Sequence, residues 1–136
     1  MALAPDTLSF DCADPMLVAT FWAAAMDYRL DPDSDDEGAY LADPSGATQG
    51  LYFQRVPEPK VAKNRMHLDL RPSGTMAEEV ERLRVLGASV GELVEVPASA
   101  LDGQPSFWTV MGDPEGNEFC VLRGPGDGWR ADEPLG

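Results

Sequence analysis

An Asp-Pro-x-Gly turn occurs twice in this chain, as Asp43-Pro44-Ser45-Gly46 and as Asp113-Pro114-Glu115-Gly116, and each copy stands late in the same series of elements. Proline at the second position and glycine at the fourth are what a type I turn prefers. In the first series, residues 7–12 alternate with period two, so Leu8, Phe10 and Cys12 share an apolar strand face. Asp14-Pro15 then starts a helix, with Asp14 able to accept orphan amide hydrogen bonds and Pro15 suited to the first helical position. The helix is expected to run to about Tyr28, with Leu17, Phe21 and Ala25 on one stripe and Val18 and Trp22 beside it. A charged, proline-containing loop (31–38), a short strand (39–42), the turn and a further strand (51–56) complete the series. Residues 57–63, rich in proline and lysine, read as an exposed linker.

The second series opens with residues 64–70, where Met66, Leu68 and Leu70 alternate with His67 and Asp69 as in a half-buried strand. Thr75 and Glu78 form a capping box. Met76, Val80, Leu83 and Leu86 follow at helical spacing, and Gly87 is a natural C-cap. Strands are expected at 90–96, 107–112 and 119–122, with the second turn between the last two. A repeated unit that cannot bury its own sheet face must pair with its copy. The expected fold is therefore α+β: two paired βαβββ modules, each helix on an apolar sheet face, with the polar faces curving around a cavity. Module one covers about residues 6–56 and module two about 64–124, giving one domain over 1–124. Residues 125–136 are expected to be a loose tail in which little besides Trp129 can pack.

The formal net charge is −14. Without a basic patch to release counterions from phosphates, the chain is not expected to bind nucleic acid or an anionic membrane. An acidic field draws cations and basic small molecules, although its commonest role is solubility. No basic region followed by an apolar run marks an export signal, and no apolar stretch approaches membrane-spanning length. Cys12 and Cys120 fit no disulfide framework. A cytoplasmic protein with reduced thiols is the expectation.

Three stretches carry a family resemblance: Asp14-Pro15 before the first helix, the run Met66-His67-Leu68-Asp69-Leu70, and the longer run from Trp108 through Asp113-Pro114-Glu115-Gly116-Asn117 to Cys120. Together they resemble the vicinal oxygen chelate superfamily, which includes glyoxalase I, bleomycin-resistance proteins, extradiol dioxygenases and fosfomycin-resistance enzymes. The resemblance implies the glyoxalase/bleomycin resistance protein/dihydroxybiphenyl dioxygenase fold. It also implies four positions that meet at a metal in the metal-dependent members, one on the first and one on the last strand of each module, typically histidine and glutamate. Here they match Thr7, Gln54, His67 and Cys120, with Tyr52 as the alternative to Gln54; Glu118 comes one inward position too early. Of these, His67 alone is a good ligand for a hard metal. No metal cofactor is therefore expected, and a divalent metal enters only if the chain is an enzyme. Cys120 facing His67 reads as a soft zinc site, an activated thiol or an inert buried cysteine, and no third ligand is evident.

The candidate ligand-binding residues are Ser9, Asp11, Tyr52, Gln54, His67, Asp69, Trp108 and Cys120. Trp108 is either a core residue on the helix side or a stacking wall for a flat ligand. Asp11 and Asp69 either hold a cationic group or are solvated strand ends, with Arg71 as an internal partner. No catalytic residue is assigned. Three functions follow. One is a metal-free binder of a small cationic or aromatic molecule, resembling the bleomycin-resistance branch. Another is a lyase, isomerase or dioxygenase of the superfamily type acting on a small metabolite. The third is an assembly or regulatory module with a vestigial cavity. A monomer or a homodimer is expected.

Overall fold

The computed structural model describes residues 2–97 and 106–131. The chain divides into two compact units, Met1–Ala62 and Lys63–Gly136. Unit one contains β1 (Thr7–Cys12), α1 (Pro15–Met26), β2 (Arg29–Leu30), β3 (Gly38–Ala42) and β4 (Gly50–Arg55). Unit two contains β5 (Asp69–Leu70), α2 (Met76–Leu86), β6 (Ser89–Val96), β7 (Ser106–Gly112) and β8 (Glu118–Leu122). The sheets have matching orders, β1-β4-β3-β2 and β5-β8-β7-β6. In each, the first strand pairs parallel with the last and the remaining pairs are antiparallel. Both units are thus βαβββ modules, and the fold is α+β with two mixed four-stranded sheets.

Asp14 caps α1 by accepting from the Leu17 amide at 3.1 Å, and Pro15 takes the first helical position. The helix stops at Met26, two residues short of the expected end, because Asp27 turns left-handed at φ 58° and its amide returns to the Ala23 carbonyl. That early stop leaves room for β2, which the sequence pattern did not reveal. The buried stripe also differs from expectation. Val18, Ala19, Phe21 and Trp22 are buried, whereas Leu17 is exposed. These side chains pack on the sheet face carrying Ala39, Leu41, Leu51 and Phe53, all buried. Phe10 stacks on Phe53 at 5.3 Å and on Trp22 at 6.3 Å, and Trp22 meets Phe21 edge-on at 5.2 Å.

The Asp43 turn ties this unit's hairpin. Asp43 accepts from the Ser45 amide and hydroxyl and from the Thr48 amide and hydroxyl, at 2.7–3.1 Å. These bonds, the Ser45 hydroxyl foremost, hold its carboxyl down at about 2. A depressed carboxyl contributes stability that is complete above its unfolded value, near 3.9, and is lost as pH falls through its folded value. The Ser45 and Thr48 amide resonances should therefore titrate with a midpoint near 2. A midpoint near the ordinary aspartate value would contradict this account of the turn.

In unit two the capping box forms, with Thr75 accepting from the Glu78 amide, and Gly87 ends α2 at φ 119°. Leu83 is the fully buried residue of the helix, and Leu86 is partly exposed. The expected strand over residues 64–70 shrinks to Asp69–Leu70, and Met66 is 82% exposed. Ahead of the strand the chain is tied to β8 in other ways: the Cys120 amide donates to the Leu68 carbonyl and the Asn64 amide to the Glu118 carboxylate, both at 2.9 Å.

The expectation of a loose tail is also corrected for residues 124–129. A 3-10 turn over Pro125–Asp127 docks on the loop before α2. Asp127 accepts from the Met76 amide at 2.7 Å and from the Gly124 amide at 2.9 Å, and the Gly126 amide donates to the Gly74 carbonyl. Gly124 fits there because a Cβ would strike the Gly74 carbonyl. The Arg71 guanidinium lies 4.0 Å from the Trp129 ring centre. Residues 132–136 of the expected tail lie outside the described residues.

Candidate functional site

Sheet register decides which side chains share a face. In unit one, Ser9, Tyr52 and Tyr40 are aligned across β1, β4 and β3, on the face opposite the Leu41–Leu51 pair. Asp11, Gln54 and Gly38 form the next row of the same face. Glycine at positions 38 and 50 makes that face flat enough for rings. A Cβ at Gly38 would strike the Tyr52 hydroxyl, and one at Gly50 would strike the Tyr40 hydroxyl, so each tyrosine lies over a glycine of the neighbouring strand. This arrangement covers otherwise bare sheet backbone with aromatic surface.

The loop from Asp31 to Glu37 folds against this tyrosine pair. Its backbone is fixed by the Asp31 amide on the Tyr40 carbonyl at 2.8 Å and by the Asp35 amide on the Gly38 carbonyl at 2.9 Å. The Ser34 hydroxyl accepts from the Tyr40 amide, and Asp35 accepts from the Glu37 and Gly38 amides. Between loop and sheet is a pocket of about 380 Å³. Tyr40, Tyr52 and Gly38 come from the sheet, while Asp31, Asp33, Ser34, Asp35 and Glu37 come from the loop. Arg55 pairs with Glu37 at 3.1 Å. Of the residues expected to bind ligand, Tyr52 lines this pocket; Ser9, Asp11 and Gln54 share the sheet face but not the lining. The loop residues were missed. The signal was available in the concentration of carboxylates at 31–37 beside a strand carrying Tyr40, but an acidic loop by itself reads as a solvated one.

Unit two brings a second group together. β5 pairs with β8 so that Asp69 lies directly beside Cys120. His67 stands two residues before Asp69, and its Nδ1 lies 3.0 Å from the Asp69 carboxylate. Ligand atoms of His67, Asp69 and Cys120 all lie within 4.8 Å of one another. Cys120 is buried, while the other two are exposed. Burial, and then the neighbouring Asp69 carboxylate, push the Cys120 thiol up to about 11, so it is a protonated thiol rather than an activated one at neutral pH. Trp108 and Val110 share the Cys120 face, whereas Thr109, whose hydroxyl meets the Met76 sulfur of α2, is on the helix side. That places Trp108 away from the helix.

Two sequence expectations change here. A third potential donor stands beside His67 and Cys120, the Asp69 carboxylate: alternation puts it on the His67 face, and the parallel register sets it next to Cys120. Arg71, one of the alternatives for Asp11 and Asp69, donates to the Arg123 carbonyl and lies over the Trp129 ring. The position matching Cys120 in unit one also shifts. Cys120 opposes Val110, three residues before Asp113; Tyr52 opposes Tyr40, three residues before Asp43. Tyr52, not Gln54, is therefore the register equivalent of Cys120, just as Thr7 is that of His67.

A family model described as a glyoxalase-like domain matches residues 7–122. Solved structures share the fold at low identity. The fosfomycin resistance protein FosX from Listeria monocytogenes, complexed with Mn(II) and a dihydroxypropylphosphonic acid, is 13% identical with a TM-score of 0.68, covering 91% of this chain and 92% of its own. A glyoxalase/bleomycin resistance protein/dioxygenase family enzyme from Burkholderia phytofirmans is 12% identical with a TM-score of 0.64, covering 86% and 95%. A glyoxalase-related enzyme from Fulvimarina pelagi is 14% identical with a TM-score of 0.63, covering 99% and 98%. No curated protein matches the chain. No helix among the described residues is long and apolar enough to cross a membrane.

Proposed function

The chain belongs to the glyoxalase-like domain family, and from that premise we propose that it binds a small basic, aromatic molecule without needing a metal. The observation that carries this reading is the pocket between Tyr40, Tyr52 and the acidic loop. Four acidic loop residues line it, no basic residue does, and the Arg55 guanidinium beside it is paired with Glu37. An anion would meet repulsion there. An organic cation would gain charge-assisted hydrogen bonds, and a flat one would gain contact with the tyrosine rings. The volume is within the range of small-molecule sites. The chain's acidity would speed the encounter at low salt.

A thermal-shift screen of cationic aromatics against anionic metabolites tests this. Cationic aromatics should raise the melting temperature with concentration, reaching about 2.7 kcal/mol of stabilisation at 100 times the dissociation constant. The gain should shrink in high salt and be lost in Tyr40→Leu and Asp33→Asn. If phosphonates or other anions stabilise the protein and cations do not, the reading is wrong.

The alternative, a metal-dependent lyase, isomerase or dioxygenase, would need an ion such as the manganese of the Listeria relative. The family positions here hold Thr7, Tyr52, His67 and Cys120, with no carboxylate among them. Neutral hydroxyls are weak donors without a carboxylate's charge and a thiol is too soft for a hard ion, so no step is assigned to manganese. One observation favours some metal nonetheless, the meeting of His67, Asp69 and Cys120.

A further inference from the structure

We propose that His67, Asp69 and Cys120 form a site for a thiophilic divalent cation, zinc or cadmium, built entirely within the second module and closed to hard ions such as manganese. The donor set differs from the one the family positions imply, because Asp69 is not among those positions and the usual carboxylate of the last strand is a thiol. Imidazole, carboxylate and thiol are the three donor types that zinc accepts in tetrahedral sites, whereas magnesium and manganese favour sets rich in oxygen.

The geometry needs little movement. Donors around a tetrahedral zinc lie roughly 3.5 Å apart, given its bond lengths. His67 Nδ1 and the Asp69 carboxylate are already 3.0 Å apart, and the group spans at most 4.8 Å. Cys120 is buried on a central strand that pairs on both sides, so its sulfur is held in place. His67 and Asp69 are exposed and can close the remaining distance by side-chain rotation. On binding, the cation takes the place of the hydrogen bond between Nδ1 and the carboxylate, leaving the imidazole neutral with its proton on Nε2. The Cys120 thiol forms a metal–sulfur bond and releases its proton to solvent. The dication thereby offsets both the carboxylate and the new thiolate. Three protein donors leave a fourth position open to water.

Titration of the reduced full chain with cadmium alone, followed by its ultraviolet thiolate charge-transfer band, is the direct test. One cadmium per chain should bind, with release of one proton, and Cys120 should become protected from thiol reagents. Zinc should compete and manganese should not. The band should vanish in Cys120→Ser and persist in Cys12→Ala. Asp69→Asn and His67→Gln, both at exposed positions and so compatible with folding, should each weaken cadmium binding by more than about tenfold, the least that loss of even a supporting partner costs. The proposal fails if cadmium produces no band, if the band follows Cys12, if manganese competes equally with zinc, or if Asp69→Asn and His67→Gln bind as the unaltered protein does.

Discussion

Trp22→Ala should lower the stability of the first module by about 3–5 kcal/mol, the cost of deleting a large aromatic from a closed core. Trp22 is 1% exposed and touches both Phe10 of β1 and Phe21 of its own helix. Removing the indole therefore opens a void between α1 and the sheet and takes away two ring contacts. Domains of this size are stable by about 5–15 kcal/mol in total, so the variant should be near unfolding at room temperature. Urea denaturation followed by tryptophan-independent circular dichroism measures the loss. Leu17→Ala, on the exposed side of the same helix, is the control and should change stability by less than about 0.5 kcal/mol. Equal losses in the two variants would mean that α1 is packed differently.

That pair of variants also shows where sequence patterns stop being informative. The cap at Asp14, the capping box at Thr75 and the two Asp-Pro-x-Gly turns were legible because each depends on a few adjacent residues with one favoured geometry. The module plan followed from their repetition. The buried side of α1 was less legible: twelve residues of this helix are almost all apolar, and a helix with apolar residues on every side carries no periodic signal to orient it. Leu17 and Val18 are equally plausible as core residues from sequence, and only packing on Leu41, Leu51 and Phe53 decides between them.

The site was legible in part for a related reason. Alternation put His67 and Asp69 on one face, and the family resemblance put Cys120 opposite His67. What no local pattern contained was the register of β5 against β8, which sets Asp69 rather than a neighbour beside the thiol. The same holds for Tyr52. The segment after Gly46 is longer than the one after Gly116, so counting along the chain pointed to Gln54, while strand pairing equates Tyr52 with Cys120. The pocket carboxylates were harder still. Nothing in the composition of residues 31–37 distinguishes a solvated loop from one folded against two tyrosines; the backbone bonds from Asp31 and Asp35 to β3 make the difference.

Asp113→Ala should cost about 2–4 kcal/mol, several times the effect of the same change at Asp43, although the two residues begin identical turns. Asp113 is 3% exposed and Asn117 8% exposed. The Asp113 carboxylate accepts from the Glu115 amide at 2.9 Å, the Asn117 amide at 3.0 Å and the Asn117 side-chain amide at 2.9 and 3.1 Å. Among the described residues no buried side-chain polar atom lacks a partner. Truncation to alanine would create such atoms, since the Asn117 donors would be left in a buried site without their acceptor, at about 1–3 kcal/mol for each group stranded. At Asp43 the partners are Ser45 and Thr48, which are exposed and can turn to water. Asp113→Asn should recover only part of the loss, because it keeps one acceptor oxygen but sets an amide donor against the donating Asn117. Chemical denaturation of the three variants gives the order, and equal costs at Asp113 and Asp43 would contradict it. The turn also leads directly into β8, so a loosened Asp113 should relax the β7–β8 register that holds Cys120. Thiol reagents should then reach Cys120 faster in Asp113→Ala than in Asp43→Ala, linking the second turn to the geometry of the His67–Asp69–Cys120 group.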